Sequence, residues 1–256
     1  MNPSFFGSSD APLFGMYHPP AGGRPRDEGV LLCYPAPQEY MRTHWAFRKL
    51  ATMLTRKGFH VFRFDYFGTG DSAGASDEGS LATWRANVAT AASELRDLAS
   101  VTKISAVGFR LGAAIAATAR DVTFNSLVLW EPVIKGAAYI DQLENLQERH
   151  NAKILEPPWS GRDRPPELLG FPLPVSLERE IRELDLLRAP PSNAARVGLM
   201  VSVDAPPASE LKAAISKCSR EATLVHVPDP EATGGTELQA ALLSNDMLNA
   251  ITLYLD

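Results

Sequence analysis

The stretch with the most chemical content is Gly108-Phe109-Arg110-Leu111-Gly112, between a strand-like run and a run of small helix-forming residues. Glycines at this spacing permit a tight, strained strand-to-helix turn. The middle side chain of such a turn projects from the start of the helix, and in the Gly-x-Ser-x-Gly pattern it is a nucleophilic serine. Here it is Arg110. A guanidinium stays protonated and cannot attack a carbonyl, yet its planar fork can hold a carboxylate or phosphate bidentately. The unpaired N–H groups and dipole of the helix start favour anions as well. Three readings of Arg110 stay open: an internal ion pair, an anchor for a bound anion, and a direct catalytic role. For the ion pair, Glu131 or Glu39 is the first expected partner and Asp204 the next.

Serine catalysis also needs a base that takes the hydroxyl proton and an acid that orients the base. Asp204 follows a strand-like run at the place of the acid and reads as vestigial. The loop expected to hold the base, Pro228 to Glu237, contains no histidine, and His226 falls inside the preceding strand-like run. One surviving member cannot run that chemistry. The other candidates are Glu39 and His44 as acid or base, Glu131 beside Arg110, and Cys33, Tyr34, Phe109 and Leu111 as lining for a substrate. Cys33 as a nucleophile would need a lowered pKa and an adjacent base.

A glycine-rich loop, Asp65-Tyr66-Phe67-Gly68-Thr69-Gly70-Asp71-Ser72-Ala73-Gly74, follows the strand-like run before the turn. With the turn at Arg110 it resembles the paired motifs of α/β-hydrolases. Pro35 with Glu39, the Asp65–Gly74 loop, Trp84, the run Gly108 to Ala113, and Leu129-Trp130-Glu131-Pro132-Val133 with Gly136 narrow the resemblance. They are similar to the α/β-hydrolase-like proteins called exosortase A system-associated hydrolase type 2, over roughly Gly29 to Leu146. The resemblance implies that arginine at the elbow is a trait of that group. It also implies a setting among exopolysaccharide or natural-product genes.

The elements that must position these residues read as a mainly parallel sheet. Short apolar runs at Gly29–Tyr34, His60–Phe64, Lys103–Gly108, Asn125–Trp130, Ala195–Val203 and Thr223–Pro228 alternate with helical patterns. Those patterns are Trp45–Arg56, the stripe Leu81, Trp84, Val88, Ala91, Leu95 and Leu98, then Leu111–Arg120 and Leu238–Leu255. Leu13–His18 reads as one arm of an antiparallel hairpin. The expected architecture is the α/β-hydrolase fold, about eight strands with helices on both faces. Residues 1–132 and 192–256 form its core and residues 133–191 a cap insertion. The cap is expected to hold helices at Ala137–His150 and Leu177–Leu187 around a proline-rich stretch.

Composition narrows the classes. The 256 residues are 45% hydrophobic and 21% charged, with a net charge of -5, so a substantial core forms and a nucleic-acid binder is excluded. No apolar run approaches the roughly 18 residues of a membrane span. The N-terminus has no signal-peptide pattern, and Cys33 and Cys218 form no metal or redox motif, so a reduced cytoplasmic protein without metal or cofactor is expected. The function expected is binding of, or non-triad chemistry on, an acyl or carboxylate-bearing small molecule of a biosynthetic pathway. The alternatives are a non-catalytic pseudo-hydrolase for a ligand or protein partner, and an esterase or thioesterase with another nucleophile. Oligomeric state is not legible.

Overall fold

The computed structural model describes residues 1–22, 24–35, 37–151, 167–218, 220–228 and 244–256. In chain order the first elements are β1 (Asn2–Gly7), β2 (Pro12–His18), β3 (Glu28–Cys33), α1 (Pro37–Arg56), β4 (His60–Phe64) and α2 (Leu81–Ala99). Next come β5 (Lys103–Phe109), α3 (Leu111–Thr118), β6 (Phe124–Trp130), α4 (Gly136–Asn151), β7 (Glu167–Leu168), β8 (Phe171–Pro172) and α5 (Val175–Glu183). The chain closes with β9 (Ala194–Val201), α6 (Pro206–Lys217), β10 (Glu221–His226) and α7 (Asn245–Leu255).

Eight strands form one sheet in the order β1-β2-β4-β3-β5-β6-β9-β10. The pairs β1–β2 and β2–β4 are antiparallel and all others parallel. This is the mainly parallel, eight-stranded sheet expected. The central strands β3, β5 and β6 are buried almost end to end because helices cover both faces, so their sequences read as continuous apolar runs. Tyr34 and Trp130 meet Phe47 of α1 on one face, and Tyr66 meets Trp84 of α2 on the other.

The structure adjusts several boundaries. The hairpin partner of β2 is β1. Helix α1 begins at Pro37 rather than Trp45, since proline is tolerated in a first turn where its missing N–H has no intrahelical acceptor, and Glu39 there complements the helix dipole. Helix α6 was not expected at all. The proline-rich stretch at 157–166, the loop at 229–237 and residues 238–243 of the expected last helix lie outside the described residues. Between β6 and β9 the chain leaves the sheet for α4, the small β7–β8 hairpin and α5.

Candidate functional site at the elbow

The turn at Arg110 is as sharp as the motif requires. Arg110 has φ 52° and ψ -119°, a conformation that costs a non-glycine residue energy and persists only where its surroundings hold it. Its N–H donates to the carbonyl of Trp130 at 3.0 Å, and its carbonyl accepts from Val133 and Ala113, each at 3.2 Å. The flanking glycines are dictated by close approach. A Cβ on Gly112 would lie 2.1 Å from the carbonyl oxygen of Tyr34, and one on Gly108 would lie 2.5 Å from the backbone of Ala113.

From this turn the guanidinium meets a built set of partners. Arg110 Nε donates to Glu39 Oε1 at 3.0 Å, and Nη2 donates to Gln142 Oε1 at 3.1 Å. Glu39 is wholly buried and its second oxygen accepts from the Tyr139 hydroxyl at 2.9 Å, while the Arg110 side chain keeps 19% exposure. The Arg110 guanidinium carbon lies 5.2 Å from the centre of the Tyr139 ring. Gln38 Nε2 donates to the Tyr139 hydroxyl at 3.4 Å. Burial opposes the charge on Arg110, but Glu39, with Tyr139 and Glu131 adding, outweighs it and moves the guanidinium pKa upward. Burial, followed by the charge of Glu39, holds the Tyr139 phenol far above its ordinary range. Each oxygen of Glu39 accepts one hydrogen bond, from Arg110 and from Tyr139.

The other expected site residues are placed elsewhere or already engaged. Glu39 stands on the first turn of α1. Half-buried Glu131, itself at φ 44°, spends its carboxylate on the backbone N–H of Ser202 and acts on Arg110 only through its charge. Asp204 is exposed. His226 ends β10, with Nε2 3.0 Å from the carbonyl oxygen of Ser202. Cys33 is fully buried beside Tyr66, and burial pushes its thiol pKa up to about 12, the opposite of what a nucleophile needs. Phe109 and Leu111 are core side chains, Phe109 packing edge-on against Trp130.

Tyr34 and His44 belong to a second polar cluster under α1. The Tyr34 hydroxyl accepts from Arg63 Nη1 at 2.8 Å, and Arg63 Nε donates to His18 Nε2 at 3.0 Å. The ring of exposed His44 lies parallel to that of Tyr34, 6.3 Å away. The Tyr40 hydroxyl donates to Asp65 Oδ1 at 2.8 Å, and the N–H of Asp71 donates to Asp65 Oδ2 at 3.0 Å, which fixes the glycine-rich loop. Sequence reasoning passed over Tyr139, Gln142 and Arg63. The signals were a three-residue spacing on one helix face for the first two and, for Arg63, a lone charge inside an apolar strand.

Profiles of protein families and the sequences of curated proteins give no match to the chain. Solved structures do. DcsB in complex with its substrate analogue is 16% identical, with TM-score 0.67 over 99% of this chain and 98% of that chain. Alpha/beta hydrolase domain-containing protein 10 from mouse is 17% identical, with TM-score 0.61 over 100% and 97%. The bottromycin epimerase BotH in complex with bottromycin A2 is 18% identical, with TM-score 0.59 over 100% and 98%. Likeness at such identity concerns the fold: the chain has the α/β-hydrolase fold.

Proposed function

We propose that the protein binds an acyl or carboxylate-bearing small molecule at its elbow and does not hydrolyse it through an acyl-enzyme. One observation carries this reading: Arg110 stands at the nucleophile position, held by a buried Glu39 whose two oxygens are both engaged. The guanidinium cannot be a nucleophile, and a carboxylate committed to Arg110 and Tyr139 is no free base. What remains is oxygen recognition. The guanidinium has five N–H groups, of which Glu39 and Gln142 take two. Leu111, as the first residue of α3, adds a backbone N–H without an intrahelical acceptor.

In this reading residues 133–191 act as a cap over the elbow, with α4 supplying Tyr139 and Gln142. The resemblance to exosortase A system-associated hydrolases of type 2 suggests an exopolysaccharide or natural-product pathway as the source of the ligand. Non-triad turnover is the second reading, favoured by BotH, which is named an epimerase although it shares this fold.

Two measurements test the proposal. Incubation with a fluorophosphonate probe should leave the protein unlabelled, and stoichiometric labelling would overturn it. Calorimetric titration with hexanoate should show binding that Arg110→Lys weakens, because lysine lacks the fork. Binding unchanged in that variant would equally overturn it.

A further inference from the structure

The outer face of α1 carries charge of one sign. Between Glu39 and Asp65 the chain has no acid, yet it holds Arg42, Arg48, Lys49, Arg56, Lys57 and Arg63. All but buried Arg63 lie on α1 or directly after it, and Arg42, Arg48, Arg56 and Lys57 are exposed. Arg42, Arg48 and Arg56 have no ion-pair partner among the described residues. Met41, Trp45, Arg48, Thr52 and Arg56 recur at helical spacing and so form one stripe. Helix α7 lies alongside: Lys49 donates to Asn245 at one end, and Lys57 Nζ meets Asp256 Oδ2 at 2.6 Å at the other. Met53, Arg56 and Leu253 line an open groove between the two helices. Leu253 and Met41, 75% and 74% exposed, are the barest large apolar side chains among the described residues. Trp45 is 53% exposed, with Lys49 Nζ 5.0 Å from the centre of its ring.

We propose that this α1–α7 face docks on an anionic lipid surface, its arginines and lysines meeting the headgroups and Met41, Trp45 and Leu253 dipping between them. Charge complementarity carries the assignment. A chain of net charge -5 is repelled as a whole by such a surface, so a face of opposite sign fixes which side approaches. Besides buried Glu39, the acids of the two helices are Asp246 and, just beyond α7, Asp256, which Arg26 and Lys57 hold. A protein partner fits this face less well, because protein interfaces centre on a packed apolar cluster depleted in lysine. Here the apolar tips stand apart with basic side chains between them. Such tips, a tryptophan included, suit a face that lies in the headgroup layer, which needs no shape complementarity.

The test is co-sedimentation of the whole chain with vesicles of equimolar phosphatidylglycerol and phosphatidylcholine, against vesicles of phosphatidylcholine alone. The protein should sediment with the anionic vesicles only, and salt at about 0.5 M should release it. The double variant Arg42→Glu with Arg48→Glu, at two exposed positions without ion pairs, should weaken binding at least tenfold. The control Arg96→Glu with Arg120→Glu makes the same change of net charge at exposed positions elsewhere and should bind as the wild type does. Bromine-labelled lipid should quench a part of the tryptophan fluorescence that Trp45→Phe removes. Absence of binding to the anionic vesicles would overturn the proposal, as would equal loss in the two double variants or binding without quenching of Trp45. Binding to soluble polyglutamate but not to vesicles would assign the face to an acidic polypeptide and overturn the lipid assignment too.

Discussion

An arginine at the elbow needs a partner that a serine does not, and Glu39 supplies it from the first turn of α1. Removing only the cation leaves a wholly buried carboxylate with one tyrosine donor, so Arg110→Ala should destabilise the protein by roughly 3–5 kcal/mol. Adding Glu39→Ala to it should recover part of that loss, because the stranded charge goes too. Urea unfolding of the two single variants and the double variant measures the coupling, and strictly additive losses would show the pair to be independent. Cys33 gives a second prediction at this scale. Its thiol is buried and pushed up to about 12, whereas Cys218 is exposed. Native protein treated with iodoacetamide at pH 8 should be modified at Cys218 alone, with Cys33 reacting only after denaturation.

Helix α4 links the elbow to the insertion, and its placement depends on Gly136. A Cβ there would lie 1.6 Å from the carbonyl oxygen of Ile181, against which α4 starts, while the N–H of Gly136 donates to the carbonyl of Leu184 at 2.8 Å. Gly136→Ala must therefore push α4 away from α5, and overpacking of this kind costs about 1–3 kcal/mol. Hydrogen exchange should show faster exchange of α4 amides with the sheet unchanged. Unaltered protection would mean that α4 does not depend on this contact. At the scale of elements the sequence was most legible where periodicity is strong. The buried runs of β3, β5 and β6 and the stripe of α2 were all readable, as was the elbow, whose glycines have a steric reason. It was least legible at the start of α1. The helical pattern reads only from Trp45, whereas α1 starts at Pro37 and so carries Glu39 on its first turn. That Glu39 rather than Glu131 faces Arg110 was not readable either, because Glu131 turns to Ser202 through a positive φ that the residue type does not announce.

For the whole molecule, the polar cluster under α1 couples stability to pH. His18 on β2 accepts from Arg63 on β4, which also donates to Tyr34 beyond the end of β3, so one guanidinium ties three neighbouring segments of the sheet. Burial first, then the charges of Arg63, the chain's N-terminus and Arg48, lower the His18 pKa from 6.5 to about 4. The folded state therefore holds His18 neutral in a range where the unfolded chain binds a proton. The stabilisation is fully present above pH 6.5 and is lost as pH falls from there towards 4, to a total of roughly 3 kcal/mol. His44 and His60, whose pKa values are also lowered, push the same way. Asp65, whose carboxyl burial raises, pushes the other way at the acid end, since its folded form takes up a proton more readily than the unfolded one. A His18→Gln variant retains an acceptor for Arg63 but does not titrate, so it separates the hydrogen bond from the proton. Urea midpoints at pH 7 and pH 5 should differ clearly in the wild type and less in His18→Gln. Equal pH slopes in the two proteins would place the acid sensitivity outside this cluster.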